Sequence, residues 1–154
     1  VAERFLAGEY PGVTEPVSSA TRIQALEARG VTHFVDLTHP DDGLEPYEAL
    51  LAAGARRLAR PIVDFGTVSS VAMTELLDEV DAVRAAGGSL YVHCRGGIGR
   101  TGTVVGCWLR RHGLDDGDAV ERLARLRAGA RSADRSSPET ETQRALVASW
   151  TRGR

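Results

Sequence analysis

The chain has 154 residues, 42% of them hydrophobic and 26% charged, which is the composition of a globular protein with one sizeable core. Its formal net charge of −2 gives no electrostatic basis for binding nucleic acid or a membrane surface, and all 19 basic residues are arginine. Without lysine there is no G-x-x-x-x-G-K nucleotide-binding loop. No apolar run is long enough to span a membrane and no signal peptide is visible, so we expect a cytoplasmic protein.

The predicted elements alternate between short β-rich segments and amphipathic helices. Serine caps, prolines at helix starts and glycines at helix ends set the expected boundaries. In chain order they are an edge strand over 5–7, a helix from Ser18 or Ser19 to Gly30, a strand over 31–37, a short helix over 47–53, a strand over 55–60, a helix from Ser69 or Ser70 to Gly87, a strand over 89–93, helices over 100–111 and 118–127, and a last helix from Pro138 through Trp150.

Strands separated by helices predict parallel βαβ units. We therefore expect an α/β fold: a central, mostly parallel sheet of about four to five strands, flanked by helices. No repeat, low-complexity tract or linker divides the sequence, so residues 1–154 are predicted to form a single domain.

The stretch over 93–102, HCRGGIGRTG, carries two signatures. Gly97, Gly99 and Gly102 match G-x-G-x-x-G, the spacing of a dinucleotide-binding turn. That interpretation needs a second strand ending in an acidic residue about 20 residues later. The available acids, Asp115, Asp116 and Asp118, lie instead between two predicted helices. The dinucleotide interpretation is therefore weak.

The second signature begins with Cys94 and ends with Arg100 and Thr101, at a strand-to-helix turn. Backbone N–H groups of such a turn point inward and bind an anion at the start of the helix, which favours the thiolate of Cys94 as a nucleophile. Arg100 offers a planar fork for two phosphate oxygens. The Thr101 hydroxyl can donate to the thiolate. We predict a phosphate-binding loop lined by Arg95, Gly96, Gly97, Ile98, Gly99 and Arg100.

Residues around this turn have alternative roles. His93 is expected to face inward and order the loop through its ring nitrogens, and Arg95 is either a rim charge or a substrate contact. Cys107 is interpreted as an apolar filler, and helix rise separates it too far from Cys94 for a disulfide. Two cysteines and four histidines show no metal-ligand spacing, so no metal site is predicted.

The motif over 93–102 resembles the phosphate-binding loop of the cysteine-dependent protein tyrosine phosphatases, particularly the compact dual-specificity branch. Residues 7–11, 30–37 and 137–143 are similar to short bacterial members. The resemblance implies that Cys94 is the nucleophile and Arg100 the phosphate clamp. It also implies a general acid about thirty residues before the cysteine, which is Asp64, with Asp41 and Asp42 as reserve candidates.

Members of this family often have a pair of glutamines late in the sequence, near the water of the second step, and this sequence departs from that pattern. The first corresponds to Glu139, which also suits a helix start, and only Gln143 remains. Gln143 is a supporting candidate, and whether it or Glu139 positions the hydrolytic water stays open.

The sequence thus predicts a metal-independent phosphomonoester hydrolase that forms a cysteinyl-phosphate and needs no cofactor. The expected partner is a phosphorylated protein or a small phosphate, and a monomer is expected. The alternatives are a phosphatase of phosphoinositides or other small phosphates, a non-catalytic phosphate-binding module, and an arsenate reductase. The last would need a resolving cysteine, for which Cys107 is badly placed.

Overall fold

The computed structural model describes residues 1–12 and 16–154. Four strands form one fully parallel sheet in the order β1-β4-β2-β3. The strands are β1 (Phe5–Gly8), β2 (His33–Asp36), β3 (Arg56–Ala59) and β4 (Leu90–His93). The helices are α1 (Pro16–Glu27), α2 (Ser70–Ala85), α3 (Gly99–Arg111), α4 (Asp116–Arg127) and α5 (Glu141–Ser149). This confirms the predicted α/β class and the edge position of β1.

The helices cover the two faces of the sheet unequally. The larger apolar cluster joins the sheet to α2, α3, α4 and α5, and α3 is buried along nearly its whole length. The smaller cluster packs Ile23 of α1 against Phe34, Tyr47 and Tyr91 on the other face. As predicted, Cys107 lies in the larger core, fully buried and without a disulfide, and burial raises its pKa to about 12.

Parallel pairing brings the carboxyl ends of all strands to one edge of the sheet. The register aligns Gly8 and Asp36 with His93, the last residue of β4. Loops that follow parallel strands meet at this edge, which is where ligands bind in open α/β sheets. The loops after β2, β3 and β4 therefore converge at the phosphate-loop motif.

Several predicted boundaries are wrong. Helix α1 begins at Pro16, so Ser18 and Ser19 lie inside it and do not cap it. The helix predicted over 47–53 is only a 3-10 turn, Glu48–Leu50. The last helix does not begin at Pro138 but after Thr140. The Thr140 hydroxyl caps it by accepting the backbone N–H of Gln143. Ser69 does cap α2, as predicted.

Candidate active site

The phosphate loop, residues 94–100, leaves the end of β4 and enters α3. Cys94 is buried, with 3% of its surface exposed, and Ile98 precedes the first turn of α3. The loop is held from outside: Tyr10 donates its backbone N–H to the Arg95 carbonyl at 3.1 Å, and Ser137 donates its hydroxyl to the Ile98 carbonyl at 2.7 Å. Neighbouring elements therefore fix the loop at both ends.

Gly97 shows why this loop is rich in glycine. Its φ of +66° lies in the left-handed region, and a Cβ there would come within 2.5 Å of the Gly8 backbone carbon. The end of β1 thus touches the loop backbone directly. Only glycine satisfies both the dihedral and the close approach.

Arg100 lies almost fully buried, and its guanidinium contacts two carboxylates from two loops. Nη1 donates to Asp42 Oδ2 at 2.7 Å and to the Ile62 carbonyl at 3.0 Å, and Nη2 lies 3.0 Å from Asp64 Oδ1. The Asp42 side chain is 4% exposed and the Asp64 side chain 44%. The predicted acid and the predicted clamp are therefore in contact.

Asp64 lies in a short loop after β3, here called the acid loop (residues 63–66). Its Oδ1 also accepts the Phe65 N–H at 3.1 Å, and Phe65 has a φ of +58°, with its ring 57% exposed. Gln143 anchors this loop by donating Nε2 to the Gly66 carbonyl at 3.0 Å.

The Gln143 side chain is fully buried, and both of its polar atoms are engaged. Its Oε1 accepts the N–H groups of Glu139 and Thr140, each at 3.1 Å. A Cβ on Gly99 would approach the Gln143 amide within 3.0–3.1 Å, so this side chain packs against the phosphate loop. Gln143 thus joins the acid loop, the start of α5 and the phosphate loop.

His93 lies fully buried behind the phosphate loop, which agrees with the prediction that it faces inward. Its Nε2 pairs with the Tyr47 hydroxyl at 2.8 Å, while Nδ1 lies 3.8 Å from Asp36 Oδ1 and makes no hydrogen bond in the part of the chain that the structure describes. Burial lowers the pKa of His93 to about 4, against the opposing charge of Asp36. Asp36 itself accepts from Thr38 and from Arg57 Nε.

One cavity of about 150 Å³ brings Cys94, Arg100 and Asp64 together. Its lining residues are Asp64, Phe65, Cys94, Arg95, Gly96, Ile98, Gly99, Arg100, Arg135 and Glu139. Gly97, the remaining predicted loop residue, faces the opposite side, against β1. Arg95 lies on the rim, where its Nη1 donates to the Asp42 carbonyl at 3.3 Å, and Arg135 pairs with Glu139.

Two residues differ in their surroundings from what the sequence suggested. The Thr101 hydroxyl is buried without a hydrogen-bond partner among the described residues, so the predicted bond to the Cys94 sulfur is not formed in this structure. Asp42, a reserve acid, is bonded to Arg100 and to the His39 N–H and lies away from the cavity lining. Asp41 is exposed and pairs only with His39 among the described residues. Tyr47 and Arg135 gave no signal in the sequence.

The described residues contain no group of three or more His, Cys, Asp or Glu side chains arranged to hold a metal ion. In the same part of the chain, no helix has the length and apolarity to cross a membrane.

Comparison with known proteins identifies the family. The model of the "Swiss Army Knife protein, DSP-PTPase phosphatase domain" (PTP-SAK) matches residues 10–150. The chain belongs to this family of dual-specificity-type phosphatase domains, which agrees with the resemblance of its loop.

Individual relatives are similar in sequence, and solved structures are similar in fold. The chain is 32% identical over 118 residues, 71% of its length, to "Putative tyrosine phosphatase 067L" of Invertebrate iridescent virus 3, and covers 43% of that protein. A mutant form of Tk-PTP superposes with a TM-score of 0.73 at 25% identity, covering 96% of this chain and 89% of Tk-PTP. Kinase associated phosphatase, with its catalytic-site cysteine replaced by serine, gives a TM-score of 0.76 at 18% identity over 93% and 83% of the two chains.

The chain spans less than half the length of the curated relatives it matches.

Proposed function

We propose that this chain hydrolyses phosphomonoesters in two steps through a cysteinyl-phosphate intermediate. The observation that carries the proposal is the meeting of Cys94, Arg100 and Asp64 in one cavity, with Asp64 3.0 Å from the Arg100 guanidinium. A buried thiol, a bidentate cation and an exposed carboxyl are the three groups that such a transfer needs.

In the first step the Cys94 thiolate attacks phosphorus, and an S–P bond forms as the bond to the leaving oxygen breaks. The carboxyl of Asp64 donates its proton to that oxygen, so the product leaves as a neutral alcohol or phenol. The loop N–H groups and Arg100 stabilise the charge on the three remaining oxygens. Phosphate oxygens would take over the Nη2 contact with Asp64, which frees its carboxyl to turn toward the leaving group.

In the second step the Asp64 carboxylate accepts a proton from water as the water oxygen attacks phosphorus. The S–P bond breaks, the electron pair returns to sulfur, and inorganic phosphate is the product. Gln143 supports this step by holding the acid loop: its Nε2 donates to the Gly66 carbonyl, while its Oε1 accepts the N–H groups of Glu139 and Thr140 and so fixes the side chain to the start of α5. Glu139 lines the cavity and pairs with Arg135, so its carboxylate is the proposed contact for the attacking water.

The proposed substrate is a phosphorylated protein, acted on at tyrosine or with dual specificity. Arg95 is the one basic side chain inside the loop besides Arg100, and the charge of Arg135 is balanced by Glu139. This modest positive charge favours a single phosphate over a polyphosphorylated headgroup. Phe65, exposed at the rim, offers an apolar surface to a side chain or ring. A cytoplasmic location and a monomeric state stay predictions from the sequence.

The test is hydrolysis of a simple aryl phosphate in the presence of a chelator. Wild type should release inorganic phosphate, and Cys94→Ser should lose turnover by at least about 10⁴-fold because the nucleophile is gone. Cys107→Ala is the matched control, since it removes the buried core thiol and should leave turnover in place. Activity that survives in Cys94→Ser, or that requires a divalent ion, would refute the mechanism. An inert wild type would favour the non-catalytic binding module.

A further inference from the structure

A second cavity lies on the other side of the phosphate loop, against β1 and the carboxyl end of α4. Its volume is about 420 Å³, against about 150 Å³ for the candidate active site. Its lining does not include Cys94, Arg100 or Asp64, but Gly96 lines both cavities. The phosphate loop is therefore the wall between the two. We call this second space the rear cavity.

The rear cavity combines an apolar floor with a basic rim. The floor includes Leu6, Leu26, Val105, Leu123 and Leu126, and the rim carries Arg29, Arg127 and Arg131. A volume of this size, lined by apolar side chains and a few charged groups, is typical of small-molecule sites. The basic rim determines the charge of the ligand that would fit.

The three rim arginines have no carboxylate within ion-pair distance among residues 1–12 and 16–154. Arg127 donates instead to the Ser132 and Arg135 carbonyls, each at 2.6 Å, and to the Ser132 hydroxyl at 3.0 Å, all of which are neutral acceptors. Burial, with the nearby Arg135, lowers the pKa of Arg127.

Two further lining residues, Glu9 and Thr101, bear on the charge and the hydrogen bonding of the cavity. Glu9, the acidic residue among the described lining residues, is paired with Arg22 at 3.0 Å and so does not neutralise the rim. Thr101 lines the cavity at 2% exposure with a buried hydroxyl that has no hydrogen-bond partner among the described residues. Unsatisfied buried hydroxyls are uncommon in native proteins, and a ligand or bound water would satisfy this one.

We propose that the rear cavity binds a small anionic amphiphile. Its anionic head lies among Arg29, Arg127 and Arg131, where charge-assisted hydrogen bonds are strong, and its apolar body covers the leucine floor. This site is separate from the proposed catalytic function and does not depend on it. A ligand there contacts the phosphate loop from behind, at Gly96 and Gly97.

The test is an amide NMR titration of the 154-residue chain with octanoate and with 1-octanol, both in saturating inorganic phosphate. Phosphate occupies the phosphate loop and prevents octanoate from binding there as a simple anion. Octanoate should shift the amides of Gly97, Leu123 and Ser132 in a saturable way. Octanol has the same apolar body without the charge, and should bind at least about tenfold more weakly.

The double substitution Arg29→Gln with Arg131→Gln should weaken octanoate binding by at least about tenfold. Both arginines are exposed, so the fold should persist, and the amide spectrum reports directly whether it does. Arg125→Gln is the matched control, because Arg125 is on the same helix as Arg127 but pairs with Glu121 and does not line the cavity. It should leave binding unchanged.

Three outcomes would overturn the proposal: octanol binding as tightly as octanoate, the double variant binding like wild type, or octanoate shifts confined to amides that line the active-site cavity. None of these measurements uses turnover. A failure of the proposed phosphatase activity therefore leaves this test intact, and the reverse also holds.

Discussion

The two loops that contact Arg100 hold it in different ways. The turn Pro40–Asp42 presents a carboxylate that is 4% exposed and bonded at 2.7 Å, and the same carboxylate accepts the His39 N–H. The acid loop presents Asp64, 44% exposed and 3.0 Å from the other guanidinium nitrogen. One cation is thus shared between a buried carboxylate and an exposed one.

Burial explains how these two carboxylates divide their tasks. A buried ion pair is screened little by water, and losing one partner leaves an uncompensated charge. Asp42 therefore fixes the direction of the guanidinium. An exposed ion pair contributes little to stability and is exchanged easily, so Asp64 is free to leave Arg100 for its proposed role as acid. The same residue type serves as a fixed support in one loop and as a proposed acid in the other.

Among substitutions in the two loops that contact Arg100, the largest effect is expected for Asp64→Asn. The variant should lose about 10²–10⁴ in kcat on phenyl phosphate, whose leaving group needs a proton. On nitrophenyl phosphate, whose leaving group is stable as an anion, the loss should be much smaller. Steady-state kinetics with both substrates make the comparison. Equal losses on the two would remove Asp64 from the role of acid.

Asp42→Asn should give a different pattern. Because Asp42 orients Arg100 and does not donate a proton, kcat/KM should fall by roughly 10- to 100-fold on both substrates alike. The free energy of unfolding should fall by about 3 kcal/mol, since one partner of a buried ion pair is lost. Kinetics and urea denaturation measure the two effects. Asp41→Asn, on the exposed neighbour, is the control and should change neither.

The buried His93 should affect how the stability of the protein depends on pH. His93 has a folded pKa of about 4, below its unfolded value of about 6.5, so folding favours its neutral form. Its contribution is complete above about pH 6.5 and is lost as the pH falls toward 4, by up to about 3 kcal/mol. Urea denaturation across this range should show a shallower decline for His93→Gln than for wild type. Parallel declines would contradict the assignment.

The smallest effect is expected on the exposed side. Phe65 adopts a φ of +58°, which asparagine tolerates better than an aromatic residue. Phe65→Asn should raise the free energy of unfolding by about 0.5–1 kcal/mol. Thermal melts against wild type measure the change, and a lower melting temperature would mean that the exposed ring contributes packing that outweighs the strain.

The features that could be predicted from the sequence are those that depend on residues near one another in the chain or on the order of the elements. The strand–loop–helix around Cys94 followed from glycines and an apolar strand, and Asp64 followed from its distance to the cysteine within a family pattern. The parallel sheet followed from the alternation of elements, and the structure confirms it.

What escaped the sequence depends on tertiary contact. Asp42 and Arg100 are 58 residues apart, and only folding buries them together. Tyr47 reaches His93 across 46 residues for the same reason. Two boundary errors came from residue types that occur in more than one position of a helix. Serine can cap a helix or lie inside it, as Ser18 and Ser19 do, and Pro138 precedes a helix that Thr140 caps.

Gln143 has a thermodynamic consequence for catalysis. Its amide ties the acid loop to the start of α5, 77 residues later, and Val147 of that helix is buried in the core. A loop held in this way samples few conformations, so drawing Asp64 toward a substrate costs little conformational entropy. The proposed acid is thus preorganised, and in the proposed reaction more of the binding energy of the substrate remains available to lower the barrier of the chemical step.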